Sequence, residues 1–146
     1  GGVTFLVSLP AVFLAGFAMR VLLELCGLPA EEQDLIGLFA NAKSHSFLVT
    51  MIVVASVIAP MAEEMVFRAG LFRYARTRLP RWAALVSPAC VFAALHQNLA
   101  SFPQLVVLAI ILSLAYERTG RIGTAIVAHA LFNLHTIVLI LLGGAA

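Results

Sequence analysis

Three separate apolar stretches of this chain carry side chains suited to acid–base or hydrogen-bonding catalysis. These side chains are Glu63, Glu64, Arg68, His96, His129 and Asn133. The first three follow an almost uninterrupted apolar run over residues 47–61. Ionisable groups are rare in membrane segments, where they usually face the bundle interior or a water-filled cavity. Their placement predicts a polar site enclosed between helices.

The two adjacent carboxylates point about 100° apart on a helix, so they cannot share one role. Glu64 stands four residues before Arg68, and this order, with the acid first, favours an ion pair. Glu63 shares the neighbouring face with Phe67 and has no cation close to it along the helix. A carboxylate without a paired cation suits a general base. The alternative is that both glutamates mark the membrane boundary, with Arg68 reaching towards the interface.

The two intramembrane histidines each have a neighbour one helical turn away. Phe92 precedes His96 by four residues and can pack against its ring. Asn133 follows His129 by four residues, so both face the same side of one helix. Asn133 can orient an imidazole or donate a hydrogen bond to an oxyanion. The alternative is structural, because His and Asn often form hydrogen bonds between membrane helices.

Convergence of the three stretches would assemble a hydrolytic site. Glu63 would be the base, His96 its imidazole partner, and His129 with Asn133 the donors to an oxyanion. These groups are sufficient to activate a water molecule and hydrolyse an amide. No serine or cysteine has a comparable setting; those nearest the polar residues are Ser56, Ser87 and Cys90. Direct attack by water is therefore favoured over a covalent nucleophile.

The composition indicates an integral membrane protein. Of the 146 residues, 62% are hydrophobic and 11% are charged, whereas a soluble domain is about half apolar and about a quarter charged. We expect an all-α, polytopic transmembrane bundle that forms a single domain over residues 1–146, with its motif-bearing core at about 46–142. Because the chain starts without Met, we also consider it a fragment of a longer protein. A net charge of +2 gives no argument for a nucleic-acid partner.

A crossing requires about 20 apolar residues, and the sequence predicts about five hydrophobic helices. Their predicted ranges are 3–28, 46–81, 82–96, 102–116 and 122–142. The third and fourth are short for a crossing, and residues 117–121 read as a turn. Arginines concentrate in 73–81 and in this turn, whereas the connection 30–45 is acidic. Because cytoplasmic loops are rich in Lys and Arg, we expect these arginines to face the cytoplasm, in a bacterial cytoplasmic membrane.

The motifs, in this order along the chain, resemble those of a known family. Glu63-Glu64-x-x-x-Arg68, then Phe92-x-x-x-His96, then His129-x-x-x-Asn133 are similar to the motifs of the CAAX protease and bacteriocin-processing family, also called the Abi family. The resemblance covers residues from about 50 to 140. It implies a membrane endopeptidase of glutamate type, without a metal or other cofactor.

The resemblance also implies a role for each matching residue. Glu63 would be the water-activating base and His96 would assist it. His129 and Asn133 would form the oxyanion site. The supporting residues would be Glu64, Arg68 and Phe92. The expected partners are membrane lipid and a protein or peptide substrate, cut near its C-terminus or in a membrane-proximal segment.

Three other functions use the same residues. Two histidines and a glutamate can bind zinc, although the short His-Glu-x-x-His spacing is absent. A membrane immunity or scaffold protein could use the polar residues only for packing or partner binding. A proton-coupled transporter could relay protons through buried Glu and His, but the small number of helices argues against it. The oligomeric state is left open.

Overall fold

The computed structural model describes residues 1–29 and 44–143, and this part of the chain is helical with no strand. The helices are α1 (Gly2–Leu25), α2 (His45–Arg78), α3 (Arg81–Leu95), α4 (Phe102–Thr119) and α5 (Ile122–Leu141). This confirms the predicted all-α bundle. Four helices are long and apolar enough to cross a membrane, and α3 is shorter. Most of the predicted acidic connection 30–45, namely residues 30–43, lies outside the described residues.

Helix α4 is longer than the sequence predicted. Residues 117–119, which were expected to form a turn, continue the helix, and α4 reaches 18 residues. The helix stops at Gly120, which adopts a left-handed conformation with φ of 65°. Glycine takes this conformation at a helix end without steric cost. The fourth segment is therefore long enough for a crossing, whereas the third, at 15 residues, is short as predicted.

Helix α2 is one continuous element of 34 residues, but two of its segments are wound as π-helix. In the first, Val54–Ile58, hydrogen bonds run from residue i to i−5, and the amide of Ala59 donates to the carbonyl of Val54. The next donor in this series would be residue 60, but Pro60 has no N–H. The carbonyl of Ala55 is therefore left without a backbone donor from that position.

The helices pack through small residues into two clusters on either side of α4. One joins α2, α3 and α4 and comprises Phe67, Ala89, Phe92, Ala93, Leu105 and Ala109. The other joins α1, α4 and α5 and comprises Val12, Leu108, Leu112, Ala125 and Ala128. Small side chains let membrane helices approach closely. Large apolar side chains remain exposed around the bundle, as expected of a surface covered by lipid.

The arginine-rich end of the bundle is held by one carboxylate. Glu117 of α4 lies 2.7 Å from Nη2 of Arg81 and 3.3 Å from Nε of Arg76. These contacts join the ends of α2, α3 and α4. Trp82, next to Arg81, is 71% exposed, as expected of an aromatic anchor at a membrane surface. The cytoplasmic orientation of this end stays a prediction.

Candidate active site

Glu64 is the centre of a buried polar cluster. Its side chain is fully buried, and its Oε1 accepts hydrogen bonds from Nη1 of Arg68 and from Nδ1 of His129, each at 2.8 Å. The first contact is the ion pair that the i, i+4 spacing predicts. The second joins α2 to α5. Two donors, one of them a permanent cation, therefore hold this carboxylate in place.

Arg68 is also almost completely buried, and α4 and α3 supply its remaining contacts. Its Nη2 donates to the carbonyl of Ala109 at 3.2 Å, and its guanidinium lies 5.0 Å from the centre of the Phe92 ring. The hydroxyl of Ser113 donates to the same carbonyl at 2.9 Å. A buried charge is stable only when it is paired and hydrogen-bonded, and Arg68 meets both conditions.

Glu63 lies in a different environment from its neighbour. Its side chain is 32% exposed, and its Oε2 lies 3.7 Å from Nε2 of His129. Its carboxylate makes no hydrogen bond with the part of the chain that the structure describes. His129, only 3% exposed, therefore lies between two carboxylates, with Nδ1 on Glu64 and Nε2 facing Glu63.

Phe92 lies between the rings of the two histidines and contacts both. Its ring centre lies 4.8 Å from that of His96 and 5.9 Å from that of His129. It also meets Phe67 edge-on at 5.1 Å. His96 is exposed at the C-terminal end of α3, and its Nδ1 lies 2.8 Å from the carbonyl of Phe92. Helix α3 ends just before His96, and the His96 ring packs on the same phenylalanine as His129.

Asn133 contacts the backbone of α2 rather than the carboxylates. Its Nδ2 donates to the carbonyl of Ala55 at 2.9 Å. This is the carbonyl for which Pro60 supplies no donor, so the amide of α5 completes the hydrogen bonding of α2. The structure thus brings Glu63, Glu64, Arg68 and His129 together. His96 and Asn133 border this cluster without a hydrogen bond to it.

The sequence analysis missed two backbone partners in this region, the carbonyls of Ala55 and Ala109. Pro60 was a usable signal for the first, because a proline inside a helix always removes a donor. Ser113, a polar residue in an apolar helix, marked the surroundings of the second. Within the described residues, no group of three His, Cys, Asp or Glu side chains is arranged so that it could hold a metal ion.

The profile of the type II CAAX prenyl endopeptidase Rce1-like family matches residues 45–135 of the chain. The chain belongs to this family. The matched segment begins at the first residue of α2 and ends two residues after Asn133, so it contains every residue of the cluster and excludes α1. The Rce1-like family indicates a membrane protease, as the resemblance implied. No curated protein and no solved structure matches the chain significantly.

Replacing Asn133 tests its structural contact within this Rce1-like chain. We expect Asn133→Ala to lower the free energy of unfolding by about 1 kcal/mol, because a hydrogen bond between membrane helices contributes about 0.6 and at most about 1.7 kcal/mol. The measurement is thermal unfolding in detergent. Thr136→Ala is the control, because the Thr136 hydroxyl bonds only to Phe132 of its own helix. An equal effect of both substitutions would contradict a contact between α2 and α5.

Proposed function

We propose that the chain is an intramembrane peptidase that cuts a peptide bond near a substrate C-terminus, or in a membrane-proximal segment, with a water molecule activated by Glu63. The single observation that supports this most is the contrast between the two adjacent carboxylates. Glu64 is buried and bonded to Arg68 and His129, whereas Glu63 is partly exposed and free of hydrogen bonds to the described residues. A base must reach water and accept a proton, and of these two carboxylates Glu63 is the one that is partly exposed.

The hydrogen-bond partners determine which nitrogen of each imidazole carries a proton. The carbonyl of Phe92 can only accept, so Nδ1 of His96 is the donor, and the neutral ring keeps a lone pair on Nε2. Nε2 of His96 can therefore accept a hydrogen bond from the attacking water. Nδ1 of His129 donates in the same way to Glu64. Glu64 thus orients the His129 ring and turns Nε2 towards Glu63 and the substrate.

The reaction follows from these assignments. Glu63, assisted by His96, takes a proton from water while the water oxygen attacks the carbonyl carbon of the scissile bond. When both of its nitrogens carry a proton, His129 can donate from Nε2 to the oxyanion while Nδ1 stays on Glu64. The amide of Asn133 has two N–H groups, and the one that does not bond to Ala55 is the second donor. When the C–N bond breaks, Glu63 returns its proton to the leaving amine.

Replacing His129 tests the oxyanion role. We expect His129→Ala to lower kcat by about 10²-fold or more, which is the loss usually seen when one oxyanion donor is removed. The substrates are peptides with and without a prenylated C-terminal cysteine, and mass spectrometry identifies the bond that is cut. The control is His135→Ala on the same helix, whose ring packs on Phe5 instead. A rise in KM with kcat unchanged would assign His129 to binding or structure.

A non-enzymatic immunity or scaffold protein is the alternative that the contacts also favour. Arg68, His129 and Asn133 each bond to a second helix, as residues that only hold a bundle together would do. Glu63 separates the two proposals, because a scaffold has no use for a carboxylate that forms no hydrogen bond with the described residues. A metallopeptidase would instead lose activity with chelator and contain stoichiometric metal.

A further inference from the structure

A groove runs along the outside of the bundle between the C-terminal part of α2 and α3. Its volume is about 350 Å³, and none of the cluster residues around Glu64 lines it. Its walls are apolar and include Leu71, Ala75, Pro88 and Val91. This volume lies within the range of roughly 300–1,000 Å³ that is usual for small-molecule sites. The groove therefore has the size of a ligand site and is separate from the cluster around Glu64.

One end of the groove is polar and cationic. Helix α2 runs towards the membrane surface and α3 runs back, so Arg78 and Tyr74 line the end next to the connection at Leu79. The guanidinium of Arg78 lies 5.8 Å from the centre of the Tyr74 ring. Within the described residues Arg78 has no carboxylate partner, whereas Arg76 and Arg81 share Glu117. Arg78 is therefore available to an anion from outside the chain.

The charge around this end is strongly positive. Six arginines lie in the ends of α2, α3 and α4 and in the turn after α4, and Glu117 is the acidic residue among them; the arginines are Arg73, Arg76, Arg78, Arg81, Arg118 and Arg121. From Leu71 to Arg78 the apolar wall extends about 10 Å along α2, at about 1.5 Å per residue. A ligand that matches both features has an anionic head and an apolar tail.

We propose that this groove binds one anionic phospholipid, with its phosphate on Arg78 and an acyl chain along Leu71 and Val91. The groove opens onto the surface that lipid covers, where Tyr74 is 62% and Val91 is 47% exposed. Basic pockets between membrane helices bind anionic lipid headgroups through the same combination of charge and apolar surface. A guanidinium can form two parallel hydrogen bonds to a phosphate, so the head is fixed by Arg78 and the tail by the groove.

Lipid binding to the purified full chain tests this proposal without any measurement of turnover. The chain in detergent is titrated with phosphatidylglycerol or phosphatidylcholine, and native mass spectrometry counts the bound molecules. We expect one phosphatidylglycerol to bind at least about tenfold more tightly than phosphatidylcholine. Arg78→Ala should weaken phosphatidylglycerol binding about tenfold, which is the loss of one charge-assisted hydrogen bond, and Arg78→Lys should restore part of it.

Two further variants distinguish a specific lipid site from nonspecific attraction of anionic lipid to the arginines. Arg73→Ala removes an equally exposed arginine that does not line the groove, and it should leave binding nearly unchanged. Ser87→Phe should fill the groove and abolish binding at an unchanged melting temperature, because the Ser87 hydroxyl bonds only to Ala83 of its own helix. Equal losses in Arg73→Ala and Arg78→Ala would overturn the proposal. So would displacement of the lipid by a prenylated peptide at equal concentration, which would assign the groove to substrate.

Discussion

Glu63→Gln should abolish peptide hydrolysis and leave the fold intact. The amide has the shape of the carboxylate but cannot take a proton from water, and we expect kcat to fall by about 10²- to 10⁴-fold, which is the usual contribution of a general base. Stability should stay within about 0.5 kcal/mol of the parent, as for surface substitutions in general, because Glu63 forms no hydrogen bond with the described residues and its approach to Nε2 of His129 is long, at 3.7 Å. Peptide cleavage and thermal unfolding, measured on the same preparation, check both expectations.

Glu24→Gln is the matched control for this substitution. Glu24 lies near the C-terminal end of α1, is exposed, and is outside the segment that matches the family. The same chemical change should leave cleavage unaltered there. Unchanged activity in Glu63→Gln would disprove the assignment of the base. A lower melting temperature together with lost activity would show that Glu63 has a structural role.

Arg68→Ala should have the largest effect on stability. It leaves the fully buried carboxylate of Glu64 without its cation and the carbonyl of Ala109 without one of its donors. Removing one partner of a buried ion pair typically costs about 3–5 kcal/mol. We therefore expect a large fall in the melting temperature, which thermal unfolding in detergent measures. In any protein that remains folded, turnover should change less than it does in Glu63→Gln.

Two further variants test whether the loss of stability in Arg68→Ala comes from the buried ion pair. Arg73→Ala removes an exposed arginine five residues further along α2, and it should change stability by no more than about 0.5 kcal/mol. The double variant Glu64→Gln, Arg68→Ala should be more stable than Arg68→Ala alone, because the uncompensated charge is gone. Normal melting of Arg68→Ala would contradict an essential buried pair.

Local spacing was sufficient to predict much of this site. The i, i+4 rule gave the Glu64–Arg68 pair, and the 100° separation of neighbours gave the different surroundings of Glu63. The presence of the helices followed from the length of the apolar segments, because only helices and closed barrels satisfy the backbone hydrogen bonds inside a bilayer. The order of the three motifs led to the family. Each of these inferences depends on residues within one helix or on overall composition.

Contacts between helices could not be read in the same way. Asn133 bonds to Ala55 because α2 is wound as π-helix just before Pro60, and no residue spacing reveals that change of winding. The bond from His129 to Glu64 depends on the rotation of α5 relative to α2. The shared contact of the two histidines with Phe92 depends on how α3 packs against α5. The length of α4 was missed because polar residues at 117–119 look like a turn until Gly120 supplies the actual stop.

The isolation of Glu63 from the hydrogen bonds that join the helices has an evolutionary consequence. With the proposed roles, a descendant that loses this one acid would lose the reaction but keep every hydrogen bond that joins the helices, because the contact of Glu63 with His129 is a longer approach of 3.7 Å. Such a chain could persist as an inactive relative that still holds ligands or partners in the membrane. Losing Arg68 instead would remove the architecture itself. If Glu63 is the base, as proposed, a single substitution at position 63 would separate catalytic from non-catalytic members of this lineage.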